Sequence, residues 1–201
     1  MQDYKRKEYK VFELFDKKWA LVTAGNIQHY NCCTVSWGSL GNIWGTAGNI
    51  QHYNCCTVSW GSLGNIWGTA GNSRSTVTVY VHPARYTSEV LKESDIFTVS
   101  FYPETSRKAL GYLGSHSGRD ENKIEAVGFT PVKMGQGVTF EEAECTFLCK
   151  KLYQHQFSRE DLAPEIQEYY AAKPEVYPDF KGGWQPHYVF VGEIIGERKK
   201  E

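Results

Sequence analysis

Residues 24–46 read AGNIQHYNCCTVSWGSLGNIWGT, and residues 47–69 repeat the same 23 letters without one difference. Each copy contains a β-branched and aromatic run, from Asn31 to Trp37 in the first copy and from Asn54 to Trp60 in the second. Such a run, bounded by glycine and asparagine, is typical of a β-strand. The unit therefore predicts one strand with its turn, present twice in the chain.

The two copies do not have the character of a repeat architecture. Solenoids and propellers need three or more diverged units, and nothing downstream resembles this one. The tetrapeptide Thr-Ala-Gly-Asn stands at 23–26, 46–49 and 69–72, and direct repeats at both edges are typical of slippage or misassembly between matching DNA segments. A designed repeat is the alternative. In either case one copy fills one native strand, and the other must be looped out, swapped or paired elsewhere.

Length and composition narrow the class of protein. The 201 residues, or 178 without one copy, suit a single domain over residues 1–201. Lys and Arg total 22 against 23 acidic residues, so nothing indicates a nucleic-acid partner. No apolar run approaches the length of a membrane span, and the start MQDYKRKEYK lacks the apolar core of a signal peptide. We expect a cytoplasmic protein with reduced thiols and no membrane partner.

The rest of the chain alternates in the manner of strands. Further strands are predicted over 19–23, 75–81, 96–102, 139–153 and 188–195. Short helices are predicted from a Thr87 cap through Lys92, over 104–113, over 120–127, and from Pro164 onward. Residues 173–186 read as an ordered aromatic flap. Together these elements predict an all-β dominated fold with short helices, in a closed or split antiparallel barrel.

Common cofactor and metal fingerprints are absent from the sequence. It contains no GxGxxG after a strand, no GxxxxGK[ST], no CxxC pair and no HExxH. Cys145 and Cys149 share one face of a predicted strand, and without a second ligand pair we interpret them as buried thiols. The spacing leaves room for a Ser/His/Asp triad, although the nucleophile elbow GxSxG does not occur. No metal site and no catalytic acid or base is predicted.

Three polar clusters are more informative. The strand of the repeat places Asn54 and Trp60 on one face and Thr57 and Ser59 on the other. The segment 82–87, HPARYT, joins a strand to a helix and offers Arg85, a threonine hydroxyl and free helix N–H groups to an anion. The segment 114–123, GSHSGRDENK, offers Ser117, Arg119 and Lys123 at a second helix start. Each of the last two is also explained by a capped helix with a solvated basic residue. Together with the tryptophan strand, they indicate a phosphorylated aromatic ligand.

These motifs resemble the flavin reductase-like family, the FMN-binding split barrels that include flavoredoxin. The resemblance runs from Lys18 to about Gly196. Its motifs are N-x-x-T-V-S-W-G, V-x-P-x-R-Y-T, G-S-x-S-G-R-D-x-x-K, the segments 143–145 and 149–153, and the closing segment 187–194. The resemblance implies a Greek-key split β-barrel, a homodimer, and FMN held non-covalently near the dimer interface.

The resemblance also implies roles for residues of this chain. One Asn and one Trp of the repeat would flank the flavin ring, and one Thr and one Ser would bond its polar edge or ribityl chain. Arg85 and Thr87 would meet the phosphate, Ser117, Gly118 and Lys123 would support phosphate or ring, and His187 would close the site. The repeat leaves open which copy serves, so the cofactor-binding candidates in the unit are Asn31, Thr34, Ser36 and Trp37 or Asn54, Thr57, Ser59 and Trp60.

The expected activity is reduction of flavin, or of a downstream acceptor, by an FMN-dependent enzyme that uses NAD(P)H. In such an enzyme the redox chemistry belongs to the flavin, while the protein supplies binding and orientation. A flavoredoxin-like electron carrier without its own NAD(P)H turnover is one alternative. A split-barrel module that holds flavin or haem without turnover is another. The expected partners are flavin and nicotinamide molecules, a second copy of the chain, and an electron-acceptor protein.

Overall fold

The computed structural model describes residues 20–35, 39–41, 55–57, 60–69, 72–175 and 177–200. Within the repeated unit it gives the strand backbones, and side chains are described for residues 20–28, for Cys32 and from Arg74 onward, except residue 176. Of the candidates in the repeat, Asn31, Thr34, Thr57 and Trp60 belong to described strands. Ser36, Trp37, Asn54 and Ser59 lie outside the described residues.

Strands dominate the described chain. They are β1 (Ala20–Asn26), β2 (His29–Val35), β3 (Ser39–Gly41), β4 (Cys55–Thr57), β5 (Trp60–Thr69), β6 (Asn72–Val81), β7 (Ile96–Phe101), β8 (Pro131–Met134), β9 (Gly137–Phe140), β10 (Cys145–Gln156) and β11 (Tyr188–Lys199). The helices are short: α1 (Tyr86–Glu93), α2 (Arg107–Ser115) after a 3-10 turn at Glu104–Ser106, α3 (Lys123–Val127) and α4 (Pro164–Ala171).

Nine strands form one sheet in the order β2-β4-β1-β7-β10-β11-β6-β3-β5, and β8 and β9 form a separate hairpin. Neighbouring strands run antiparallel, except that β4 lies parallel to β2 and β3 lies parallel to β5. Within the described residues the sheet does not close on itself. The strand-dominated split barrel predicted from the sequence is confirmed.

The core lies between the central strands. Every residue of β7 is buried, and so are Phe147 of β10 and Phe190 of β11. β11 passes this core so closely that a Cβ on Gly192 would come within 2.5 Å of two ring carbons of Phe97. Glycine is therefore required there by space, because real Cβ atoms do not approach a ring that closely.

Both copies of the repeat pair with the same two strands, β1 and β6. Val22 of β1 pairs with Cys33 of β2 and, in an equivalent register, with Cys56 of β4. On the far side of the sheet, Val77 of β6 pairs with Leu63 of β5 and with Leu40 of β3. Equivalent residues of the two copies thus compete for the same positions.

The structure corrects several expected boundaries. The run 139–153 is not one strand, because a turn at 141–144 separates β9 from β10 and Ala143 N–H donates to the Phe140 carbonyl at 3.2 Å. The helix expected over 120–127 begins only at Lys123, but it ends as predicted at Gly128, whose φ of 69° is left-handed. Pro164 opens α4 as predicted.

The cysteines whose side chains the structure describes divide into two groups. Cys145 and Cys149 are buried and not in a disulfide, which confirms their interpretation as buried thiols, and burial raises the pKa of Cys149. Cys32 is disulfide-bonded, which differs from the expectation of reduced thiols. Among the described helices none has the length and apolar character needed to cross a membrane.

Candidate functional site

The first half of the candidate site is the turn between β6 and α1. Arg85 N–H donates to the His82 carbonyl at 3.0 Å, and Ser88 Oγ donates to the Pro83 carbonyl at 3.0 Å. These bonds fix the turn, so that α1 starts at Tyr86 with Arg85 as its N-cap residue and without a side-chain cap. Thr87 therefore lies inside the helix, and its predicted role as the cap is wrong.

The Thr87 hydroxyl therefore does not cap the helix. Its side chain is buried, and its Oγ1 has no hydrogen-bond partner among the described residues. A buried hydroxyl without a partner costs free energy, which a bound acceptor would recover. The first turn of α1 also presents backbone N–H groups that have no partner within the helix.

The second half is the loop between α2 and α3. Arg119 N–H donates to Ser117 Oγ at 3.2 Å, and Asp120 N–H donates to the Ser117 carbonyl at 3.1 Å. Ser117 thus shapes a tight turn that includes Gly118. Asn122 then caps α3 by accepting from Glu125 N–H at 3.4 Å. Loop and helix start are ordered by their own polar groups.

Long basic side chains join the two halves. Arg85 donates to the Gly114 carbonyl at 3.3 Å. Arg119 reaches in the opposite direction and donates to the Ala84 carbonyl at 3.1 Å and to Glu89 at 2.7 Å. Its guanidinium also lies 4.9 Å from the centre of the Tyr86 ring. The two segments that the sequence predicts as separate anion sites therefore contact each other and form one cluster.

Lys123 forms the floor of this cluster. Its ammonium donates to the Leu113 carbonyl at 2.8 Å and to the His116 carbonyl at 3.2 Å. Burial, and then the charge of Arg85, lower the pKa of Lys123 to about 7, while Glu121 opposes them. Burial likewise lowers the pKa of Arg85.

The cluster contains two basic side chains that form no ion pair among the described residues. Within the described part of the chain, Arg119 forms an ion pair with Glu89, whereas neither Arg85 nor Lys123 forms one with a carboxylate. Two cations, a buried hydroxyl and a helix N-terminus are the donors that a phosphate group prefers. The residues present therefore fit a phosphorylated ligand.

His187 lies on the other side of the turn and faces His82. The two rings meet edge to face with centroids 5.2 Å apart. Burial, then His82, then Arg85 lower the pKa of His187 to about 3, and burial followed by Arg85 lowers that of His82 to about 4. Both rings are neutral at physiological pH. His187, predicted from the last strand, is thus brought to the Arg85 cluster.

An aromatic wall adjoins the two histidines. Tyr170 Oη and His187 Nδ1 are hydrogen-bonded at 2.5 Å, and Tyr177 lies 5.7 Å from the His187 ring centre. Tyr170 stacks on Trp184 at 5.1 Å, and the Arg159 guanidinium lies 4.0 Å from the centre of the Trp184 ring. The sequence predicts the aromatic flap but not these contacts. The density of Tyr and Trp over 169–184, close to a histidine, is the feature of the sequence that indicates them.

The described candidates of the repeat belong to three strands. Asn31 and Thr34 lie in β2, Thr57 lies in β4, and Trp60 begins β5 opposite Tyr80 of β6. Because β6 ends at Val81, the start of β5 lies beside the strand end that leads into the turn at His82.

Comparison with protein families gives the class. The model of the flavin reductase like domain matches residues 42–196, which is more than half of the chain. The chain therefore belongs to the flavin reductase-like family. The matched segment contains the whole of the second copy and runs on without a break to the last strand.

Solved structures share the fold at low sequence identity. The FMN-binding protein from Thermus thermophilus, with bound p-hydroxybenzaldehyde, is 18% identical with a TM-score of 0.58, over 100% of this chain and 83% of that chain. Flavoredoxin from Methanosarcina acetivorans is 17% identical with a TM-score of 0.57, over 100% and 77%. Nitrilotriacetate monooxygenase component B from Bacillus cereus is 12% identical with a TM-score of 0.56, over 100% and 81%. No curated protein matches the chain.

Proposed function

We propose that this protein is an FMN-binding oxidoreductase that uses NAD(P)H to reduce flavin or a downstream acceptor. The observation that carries the proposal is the cluster of Arg85, Lys123 and the unpartnered Thr87 hydroxyl. It offers a phosphate two cations, a hydroxyl and helix N–H groups in one place. Membership of the flavin reductase-like family and the FMN-binding neighbours support FMN as the phosphorylated ligand.

The candidate residues would bind different parts of FMN. Arg85 and Thr87 would bind the phosphate, with Ser117, Gly118 and Lys123 shaping that end of the site. The Asn, Thr, Ser and Trp of the repeat would bind the ring and the ribityl chain, and His187 would close the site. When bound, FMN would supply the redox chemistry, with NAD(P)H as the hydride donor.

The proposal needs no strong acid or base from the protein. His82 and His187 are neutral and buried, so they contribute shape and dipoles rather than charge. The aromatic wall that adjoins them is buried and would keep water from that side of the site. Such a site holds a flat ligand and leaves the electron transfer to the cofactor.

The first test is whether the purified protein is yellow and releases FMN on denaturation. Arg85→Ala should weaken FMN binding by about 10–100-fold, as expected for loss of a charge-assisted hydrogen bond. Arg198→Ala is the matched control, because that guanidinium already pairs with Glu141 in another part of the fold. Flavin content after dialysis that is unchanged in Arg85→Ala would contradict the phosphate role.

The second test separates an enzyme from a carrier. Anaerobic addition of NADH, and separately of NADPH, should bleach the bound flavin. If neither donor does so, the flavoredoxin-like carrier replaces the reductase. A sharp Soret band in place of the flavin spectrum would instead indicate a haem-binding module.

A homodimer and an electron-acceptor protein complete the proposal. Tyr153 of β10 and Phe157, the first residue after it, are 44% and 38% exposed, and they would provide apolar surface for a second copy of the chain. Light scattering coupled to size-exclusion chromatography tests the dimer, and the expected mass is twice that of the chain.

A further inference from the structure

The sheet starts and finishes with parts of the same repeated unit. Its order begins with β2 and ends with β5. Equivalent positions of the two copies are 23 residues apart, so β5 (Trp60–Thr69) repeats residues 37–46. Within the unit, β2 and β5 are therefore consecutive, with only one serine position between them, held by Ser36 or Ser59.

The two short strands are duplicates of the longer ones. β4 (Cys55–Thr57) repeats residues 32–34 of β2, and β3 (Ser39–Gly41) repeats residues 62–64 of β5. Each duplicate takes the same register on the same edge as the strand that it repeats. An edge forms one ladder at a time, because each N–H group donates to a single neighbour. The duplicates are therefore competitors for positions that β2 and β5 also occupy.

At β1 the first copy has the advantage. β2 pairs with β1 from Ala20↔Val35 to Asn26↔His29, and the two strands are joined by the two-residue turn Ile27-Gln28. β4 pairs with only three residues of β1, Leu21 to Thr23. A tight hairpin closes with little loss of chain entropy, whereas β4 must arrive from a distant point in the chain.

At β6 the second copy has the advantage for the same reason. β5 pairs with β6 from Trp60↔Tyr80 to Thr69↔Asn72, and only two residues of the sequence separate the two strands. β3 pairs with only three residues of β6, from Ser39↔Thr78 to Gly41↔Thr76.

We propose that the strand carrying the flavin candidates is composite, with β2 from the first copy and β5 from the second. The two halves lie at the two ends of the sheet, with residues 36–59 between them in the chain, and β3 and β4 are surplus. The candidates then come from different copies: Asn31 and Thr34 from the first, and Trp60 from the second. The assignment of the strand to flavin rests on the proposed function, whereas the strand pairing does not.

Paired proline substitutions test the strand pairing without any ligand. Proline removes the backbone N–H, so it breaks a ladder only where that ladder exists. Two adjacent positions are used in each strand, because only one of two neighbours donates toward a given edge. The first comparison is Cys33→Pro and Thr34→Pro against Cys56→Pro and Thr57→Pro. The second is Ser62→Pro and Leu63→Pro against Ser39→Pro and Leu40→Pro.

We expect the first copy to be the sensitive one in the first comparison and the second copy to be the sensitive one in the second comparison. At least one substitution in β2 and one in β5 should lower the melting temperature by about 6–12 °C or abolish folding. The matched substitutions in β4 and β3 should stay within about 2 °C of the unsubstituted protein, as surface changes do. Intact mass first establishes that both copies are present. Equal effects in matched positions, or losses confined to one copy, would overturn the composite strand.

Flavin content separates this inference from the proposed function. Cys56→Pro and Leu40→Pro should retain flavin at the level of the unsubstituted protein. If the unsubstituted protein binds no flavin, the proposed function fails, and the melting temperatures still decide the strand pairing. If it binds flavin and Cys56→Pro or Leu40→Pro releases it, the composite strand fails and the proposed function stands.

Discussion

His187 lies edge-on to His82, with ring planes 73° apart, and bonds Tyr170 through its Nδ1 atom. His82 follows β6 and His187 precedes β11, so the two histidines are far apart in the sequence. In the fold they form one buried contact beside Arg85. Both pKa values are lowered, to about 3 for His187 and about 4 for His82, first of all by burial.

This contact predicts loss of stability in acid. In the unfolded chain both histidines take up a proton near pH 6.5, whereas in the folded protein they stay neutral to lower pH. Protonation therefore favours the unfolded state, and the free energy of unfolding should fall below pH 6.5 by about 1.4 kcal/mol per pH unit for each histidine. Urea unfolding between pH 7.5 and pH 4.5 measures the slope. His187→Gln should flatten it, and the exposed His155→Gln should not; equal slopes for the two variants would exclude this role of His187.

Lys123 predicts a pH dependence of anion binding. With its pKa at about 7, Lys123 is charged below neutrality and becomes neutral above it. We expect FMN to raise the melting temperature more at pH 6 than at pH 8.5, and Lys123→Met should remove this difference. At each pH, the melting temperature without FMN is subtracted from that with FMN, which removes the pH dependence of the protein alone. An increment that is the same at both pH values in the unsubstituted protein would contradict the prediction.

Arg119 predicts a positioning effect at the same site. It holds the α2–α3 loop against the start of α1 through Ala84 and Glu89. Because the ion pair is exposed, Arg119→Ala should weaken FMN binding by no more than about five-fold. Limited proteolysis should also show faster cleavage in residues 114–122. Weaker binding with unchanged cleavage would mean that Arg119 contacts the ligand rather than the loop.

Gly192 predicts a purely steric effect. Gly192→Ala places a methyl group against the Phe97 ring and should lower the free energy of unfolding by about 1–3 kcal/mol, the usual cost of overpacking. Gly111→Ala is the control, because its Cβ would meet nothing within 4 Å and alanine favours the helix. Urea unfolding compares the two. A Gly192→Ala protein as stable as the control would show that β11 can move away from Phe97.

The sequence predicts most strands because their side chains alternate, and it predicts the end of α3 because Gly128 takes a left-handed φ. It misplaces the start of α1 because the cap depends on the turn closed by Arg85 N–H and His82. It also predicts two separate polar clusters, which Arg85 and Arg119 join into one, since those contacts cross about 30 positions of the chain. The local sequence pattern predicts which segments are strands and which are helices. The candidate site depends on contacts between residues that are distant in the sequence.

The two copies are identical letter for letter, so loss of residues 24–46 and loss of residues 47–69 leave the same polypeptide. Every exact contraction within the repeat gives one product, with Val35 followed by serine and then by the tryptophan that starts β5. Deletions of 23 residues that begin at different points of the repeat would therefore all give one polypeptide, in which a single serine joins β2 to β5, and the protein sequence would not record where the deletion began.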